Sequence, residues 1–296
     1  VDYNRRGGLI ERLSSWQLVL NIVKQELAAC ALENIILIDP DSRLSQLGVL
    51  PLIPEQNYYF FDSRSDISFA SNMSMAQLTN SWITSVTGED DFRYPRVWPR
   101  SSNLEKAARL YEEIKINGAR RIIAINLGVG GNQRKKVGRI FEKELLLSLL
   151  QEPDTVIVLD KGLGEEELEN SDWLLESVRE HGFAATNVDF GTPLDSDIRS
   201  GVIGMQTRIG EIAAIIAKSD EYIGYDSACQ HIAAAQDIPC LTIFAGSNNM
   251  RFIRRWSAFS PNDCQIVHVD TLTDPTSIDV EDIITRIMNE RRMRKV

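Results

Sequence analysis

The most ordered pattern of apolar and polar positions runs from Thr207 to Ser247. Ile209, Ile212, Ala213, Ile216 and Ala217 recur at helical spacing, and the short apolar run Tyr222-Ile223-Gly224 predicts a strand. That run stops at Asp226-Ser227, and a second helical run, His231 to Gln236, follows. The segment therefore predicts strand, polar turn and helix. Such a turn gathers unpaired backbone N–H groups and the positive end of a helix dipole at one point, which suits a phosphate. Beyond Pro239 the run Leu241 to Phe244 predicts another strand, ending in the polar loop Gly246-Ser247-Asn248-Asn249. Two such loops at one end of a parallel sheet make a ligand crevice.

Upstream, from Ser102, helix and strand patterns alternate. Leu104, Ala107, Ala108, Tyr111 and Ile114 share a helical face, and Arg121 to Leu127 reads as a strand ending in Gly128-Val129-Gly130-Gly131-Asn132. A helix over Phe141 to Leu150, a strand over Thr155 to Leu159, a helix over Glu165 to Glu180 and a weaker strand near Ala185 to Val188 come next. The alternation predicts an α/β fold whose parallel sheet is covered on both faces. The N-terminal third is less regular. Leu18, Leu20, Ile22, Val23 and Leu27 form one face of a helix, and Asn34 to Ile38 reads as a buried strand. Two turns of like sequence, Asp41-Ser42-Arg43 and Asp62-Ser63-Arg64, follow apolar runs; they read either as helix caps with a paired arginine or as two anion-binding turns. Between Gly88 and Ser102 charges and prolines replace any period, which marks an interdomain linker. The expected organisation is an N-terminal domain over residues 1–100, partial or irregular, a Rossmann-like domain over 101–275 and a C-terminal helix over 276–296.

Composition narrows the partners. A net charge of -10 and a pI near 5.0 argue against a general nucleic-acid surface. Cys30, Cys229, Cys240 and Cys264 are scattered, so neither a disulfide framework nor a zinc site is expected, and reduced thiols in a cytoplasmic protein are. No apolar run approaches the ~20 residues that span a bilayer, and no signal-peptide pattern opens the chain. Its first residue is Val1, so a longer natural sequence is expected. The basic end Arg291-Arg292-Met293-Arg294-Lys295 reads as complementing a helix C-terminus, with peripheral contact at an anionic membrane as the alternative.

Several residues carry candidate chemistry. Gly128 and Gly130 follow a strand, but Gln133 stands where the third glycine of a dinucleotide fingerprint would be, and no Walker A pattern exists. Arg134, Lys135 and Lys136 then place positive charge at the same sheet end, either to neutralise a diphosphate or as a solvated loop. His231, one turn into the helix that follows Ser227, is either a packed residue or one that faces ligand or orders the loop. Asp226 reads as a helix cap, a role compatible with a held turn that presents free N–H groups. Glu165, Glu166 and Glu167 follow Gly162 and Gly164 at a strand end, where an acid can bond a ribose or simply favour a first turn.

The run Ile223-Gly224-Tyr225-Asp226-Ser227-Ala228-Cys229-Gln230-His231-Ile232-Ala233-Ala234-Ala235, with Ile238-Pro239 and Leu241 to Gly246 after it, resembles the signature of glycosyltransferase family 9, the ADP-heptose:lipopolysaccharide heptosyltransferase group. That signature reads D-[ST]-[GA]-x-x-H-x-x-A-A. Asn126-Leu127-Gly128 with the lysines is similar to the family's N-P-G strand end. Three positions depart: Ala228 stands for the usual glycine, Leu127 for the proline, and Val137-Gly138 for a W-P pair. The family's opening strand and glycine-containing loop also have no counterpart at the start of this chain.

The resemblance implies a GT-B-like architecture of two Rossmann-like domains. It implies a glycosyltransferase that moves a sugar, heptose in the family, from a nucleotide-diphosphate sugar to the hydroxyl of a glycan or glycolipid acceptor, in cell-surface glycan or lipopolysaccharide synthesis. By carry-over Asp226, Ser227 and Ala228 meet the diphosphate or sugar, Lys135 or Lys136 offsets phosphate charge, and Glu165 is the ribose candidate. Gly162 and Gly246 belong to the adjoining loops. No cofactor and no metal is expected. The acidic residues at expected loop positions, Asp2, Asp41 and Asp62, are candidate bases, and the pattern singles out none of them. A noncatalytic nucleotide-sugar-binding relative and, further off, a Rossmann-type redox or epimerase enzyme are the rival readings.

Overall fold

The computed structural model describes residues 8–28, 30–31, 34–40, 54–63, 65–89, 92–195 and 197–293. The chain divides into two compact units, residues 1–92 and residues 93–296.

In the first unit, helix α1 (Leu9–Leu27) precedes two short strands, β1 (Leu37–Asp39) and β2 (Tyr58–Phe60), which pair in parallel with Leu37 opposite Tyr58. Leu18 and Ile22, on the expected helical face of α1, are exposed. Helices α2 (Asp66–Ala70) and α3 (Met75–Thr87) follow. Ser65 caps α2 by accepting from the Ser68 N–H at 3.2 Å, so the cap lies beyond Asp62 and Ser63. Asp2, Asp41, Ser42, Arg43 and Arg64 lie outside the described residues. Gly88, in a left-handed conformation with φ of 72°, ends α3.

The second unit holds α4 (Ser101–Ile116), β3 (Arg121–Asn126), α5 (Arg139–Leu150), β4 (Thr155–Asp160), α6 (Glu165–Glu180), β5 (Ala184–Asn187), β6 (Gly201–Met205), α7 (Ile209–Ile216), β7 (Glu221–Tyr225), α8 (Ala228–Ala235), β8 (Cys240–Phe244), α9 (Met250–Trp256), β9 (Cys264–His268) and α10 (Val280–Arg292). The seven strands form one parallel sheet in the order β5-β6-β4-β3-β7-β8-β9. β6, α9 and β9 are additions to the elements expected from the pattern, and α8 begins at Ala228, three residues before His231.

Alternation along the strands explains the two-sided burial. Ile123 and Ile125 of β3 face Leu145, Leu146 and Leu149 of α5, Leu174 and Val178 of α6, and Ile283 and Ile287 of α10 in one buried cluster. Ile122 and Ala124 belong to the other, with Leu110 and Ile114 of α4, Ile212 and Ile216 of α7, and Ala233 of α8. Successive side chains of a strand point to opposite faces, and a strand buried on both sides is apolar at every position. The C-terminal helix is thus part of the core of this unit. Among the described residues no helix is long and apolar enough to cross a membrane.

Arg291 and Arg292 stand in the last turn of α10, as the reading of the basic end expects, and Arg291 has a further role. Its guanidinium is 2% exposed and forks onto Glu221 at 2.9 Å and Glu152 at 2.6 Å, with Arg121 adding a contact to Glu221 at 3.0 Å. Arg294 and Lys295 lie outside the described residues. A buried carboxylate that loses its partner is left uncompensated. Arg291→Met should therefore destabilise the protein by about 3 kcal/mol, the lower end of the range for a broken buried pair because Arg121 stays on Glu221. Urea denaturation of both proteins measures it, and an unchanged midpoint would remove the network as a source of stability.

Candidate functional site

All seven strands run the same way, so their C-terminal ends share one edge of the sheet. The chain passes from β3 to β4 on one side and later builds β7, β8 and β9 on the other. Loops from neighbouring strand ends diverge at such a switch point and leave a crevice. Register places Asn126, the last residue of β3, opposite Asp160 of β4 and Gly224 of β7. Between the loops lies a cavity of about 320 Å³ lined by Asn126, Gly128, Gly130, Asp160, Gly162, Leu163, Glu167, Thr207, Ile209, Ile212, Ser227, Ala228 and Cys229.

The floor of this cavity is a hydrogen-bonded chain. Asn126 Nδ2 donates to Asp160 at 2.7 Å, the Thr207 hydroxyl donates to Asp160 at 2.9 Å, and the Gly162 N–H donates to it at 3.3 Å. Burial raises the Asp160 carboxyl above its ordinary value, opposed by those three donors. Ser227 caps α8 by accepting from the Cys229 N–H at 3.4 Å, and its hydroxyl lies 3.5 Å from Asn126 Oδ1. Burial pushes the Cys229 thiol up to about 12, with Asp160 adding to the effect, so it is no ready nucleophile.

Asp226, expected as the cap, does something else. Its buried carboxylate receives Lys135 Nζ at 2.5 Å and Gln230 Nε2 at 2.8 Å. Lys135 also donates to the Asp226 carbonyl at 3.3 Å. The loop that carries Lys135 is held against the loop after β8 at Gly246, whose φ is 73°; a Cβ there would run into the Arg134 backbone. His231 feels both charges: partial desolvation of its ring lowers the imidazole, Asp226 opposes this and Lys135 adds to it.

Of the expected residues, Gly128, Gly130, Gly162, Ser227 and Ala228 line the crevice, while Lys135, Asp226, His231 and Gly246 lie outside its lining, Asp226 next to Ser227 and bound to Lys135. Lys136 and Glu165 do not join them. Lys136 lines a separate cavity of about 330 Å³ with Arg139, Glu142 and Trp173. Glu165 is exposed, and Glu167 takes the place on the crevice, accepting from the Leu163 and Gly164 N–H groups at 3.3 and 3.5 Å. Gly162 has φ of 78°, and a Cβ on it would collide with the Glu167 side chain. Asp160, Gln230 and Thr242 were not singled out by sequence; the one signal for Asp160 is a carboxylate ending an apolar run. Among the described residues no group of three or more His, Cys, Asp or Glu is arranged to hold a metal ion.

The chain has a GT-B-like α/β fold. The crystal structure of the glycosyl transferase family 9 protein from Veillonella parvula DSM 2008 matches with a TM-score of 0.61 at 13% identity, over 99% of this chain and 80% of that one. E. coli heptosyltransferase WaaC with ADP matches with a TM-score of 0.53 at 13% identity, over 85% of this chain and 71% of that one. E. coli ADP-heptose lps heptosyltransferase II matches at 0.51 and 12% identity, over 85% and 74%. In sequence, residues 199–275 match the model of Glycosyltransferase family 9 (heptosyltransferase), a span that runs from the start of β6 past β9. The resemblance to that family therefore rests on sequence as well as fold, and together they support a glycosyltransferase. No curated protein matches the chain.

Outside the crevice, Glu142 is buried and accepts from Asn170 at 2.7 Å and Tyr225 at 3.1 Å. Burial raises its carboxyl, opposed by Asn170, Lys136 and Tyr225. A raised folded-state value means that the native protein holds this proton more tightly than the unfolded chain. Stability contributed by Glu142 is therefore full below the ordinary glutamate range and is lost as pH rises through the folded value. Relative to Glu142→Gln, the wild-type protein should gain stability as pH falls from 7 toward 4.5, the ordinary value. Denaturation midpoints across that window measure the difference, and a flat difference contradicts the assignment.

Proposed function

We propose that the protein is a glycosyltransferase that moves a sugar from a nucleotide-diphosphate donor to an acceptor hydroxyl, and that the crevice between β3 and β7 holds the donor. The observation that carries this reading is the turn before α8, where the Lys135 ammonium from the loop after β3 meets a helix N-terminus that lies inside the span matched by the family model. A helix start offers unpaired N–H groups and positive potential, and both stabilise a departing diphosphate. The less polar wall formed by Leu163, Ile209 and Ile212 suits a base and ribose, with Glu167 as the ribose acceptor in place of Glu165.

In the reaction the acceptor oxygen forms a bond to the anomeric carbon as the bond from that carbon to the diphosphate oxygen breaks. The diphosphate leaves with the electron pair, and the acceptor proton passes to a general base. The C-terminal unit supplies donor binding in this reading, and the acceptor side is assigned to the N-terminal domain as a proposal. WaaC was solved with ADP and with ADP-2-deoxy-2-fluoro heptose, which favours an ADP-linked heptose as the first donor to test. The acceptor class is a glycan or glycolipid, and the proposed setting is the cytoplasm with peripheral contact at the inner membrane, in surface-glycan or lipopolysaccharide synthesis.

The rival is a nucleotide-sugar-binding protein without turnover. Thermal shift and diphosphate release over a panel of nucleotide-sugars separate the two: binding with release supports transfer, binding without release supports the rival, and stabilisation by NAD alone overturns both. Lys135→Ala should weaken binding of the stabilising nucleotide-sugar by about 1.5–3 kcal/mol, the range for a hydrogen bond to a charged group. Lys136→Ala, in the other cavity, should change it little. Equal affinity for wild type and Lys135→Ala would remove the proposed site.

A further inference from the structure

A carboxylate beside a diphosphate site poses an electrostatic problem, because its charge repels the ligand unless something cancels it. Asp226 is cancelled from two sides. Lys135 takes Oδ2 and Gln230 takes Oδ1. Gln230 is fully buried on α8, and its amide can lie only one way round. Nε2 faces Asp226 Oδ1 at 2.8 Å and the Trp256 carbonyl at 3.2 Å, both of which only accept. Oε1 is left to accept from the Thr242 hydroxyl at 2.8 Å, on the adjoining strand β8. Every polar atom of the amide thus has a use, and turning it would set oxygen against two acceptors.

We propose that Gln230, its amide fixed by Thr242 and the Trp256 carbonyl, is the positioning residue that sets the Asp226 carboxylate and through it aims Lys135 at the diphosphate of the donor. This rests on the reading of the crevice as the donor site. Without the amide, Asp226 Oδ1 loses its donor, the carboxylate is free to rotate, and Lys135, still paired with it, is drawn out of line with the phosphates.

The test is calorimetric titration with ADP, GDP, UDP, CDP and dTDP of the wild-type chain, Gln230→Met, Thr242→Val, Thr242→Ser, Lys135→Met and the double variant Gln230→Met/Lys135→Met, with thermal melts as the check of folding. We expect the wild type to bind at least one diphosphate, Gln230→Met to bind it roughly tenfold more weakly, Thr242→Val to fall in the same direction, and Thr242→Ser, which keeps the hydroxyl, to restore affinity. Because Gln230 acts through Lys135, the double variant should bind no more weakly than Lys135→Met alone. Wild-type affinity in both Gln230→Met and Thr242→Val, or losses that add in the double variant, overturns the relay while leaving the donor site standing. A wild-type chain that binds none of the five overturns the donor-site reading and the relay with it. Should Gln230→Met fail to fold, the Thr242 pair decides.

Discussion

The buried carboxylate of Asp226 is the constraint on which the site depends. A charge taken out of water at the end of a strand has to be met by donors, and here the donors come from three directions: a lysine on the loop after β3, an amide on α8, and through that amide a hydroxyl on β8. Satisfying one charge therefore ties together three segments that are far apart in sequence. The loop with Lys135 is pressed through the Arg134 backbone onto the β8 loop at Gly246, so the loop that neutralises Asp226 is also fixed to the neighbouring strand end.

That arrangement is possible because of the sheet. With every strand parallel, all the polar strand ends fall on one edge, and the reversal of strand order at β3 leaves room between the loops of β3 and β7. The opposite edge carries the Arg291, Glu221, Glu152 and Arg121 network, which anchors α10 to the N-terminal end of β7. One strand thus has a buried ionic cluster at each end. The lower one serves packing, and the upper one stands next to Ser227, which lines the crevice.

Periodicity revealed the elements whose apolar spacing is long and unbroken: α4, β3, α5, β4 and α6 all fall where the pattern puts them. β6 was missed because Gly201 and Gly204 interrupt a five-residue strand, and β9 because Gln265 and His268 dilute an edge strand. The turn before α8 was legible, since a strand stopping at Asp-Ser has few other meanings. Choosing Lys135 over Lys136 was not, because adjacent residues on a loop point apart and only tertiary contacts decide which meets Asp226. Glu167 could have been chosen over Glu165: an acid three residues past the residue that starts a helix reaches back to its N–H groups, a local rule that places its side chain over the strand-end loop.

The departures from the family signature have local explanations as well. A glycine is required only where φ is positive or a neighbour leaves no space for Cβ. Among the described residues the only non-glycine positions with positive φ are Asp154 and Asp237, so Ala228 replaces a glycine without backbone strain, and alanine favours the helix it begins. Leu127, where the signature has proline, is 5% exposed and packs in the same cluster as Val129 and Phe141, fastening the start of the loop to the core. Where a tryptophan-proline pair would stiffen the loop after the lysines, Val137 donates its N–H to the Tyr225 hydroxyl at 3.1 Å, and that hydroxyl donates onward to Glu142 at 3.1 Å. Tyr225 ends β7, immediately before Asp226. The loop that presents Lys135 is therefore held from the strand that presents Asp226, and the geometry between ammonium and carboxylate is fixed without the proline and the tryptophan-proline pair of that signature.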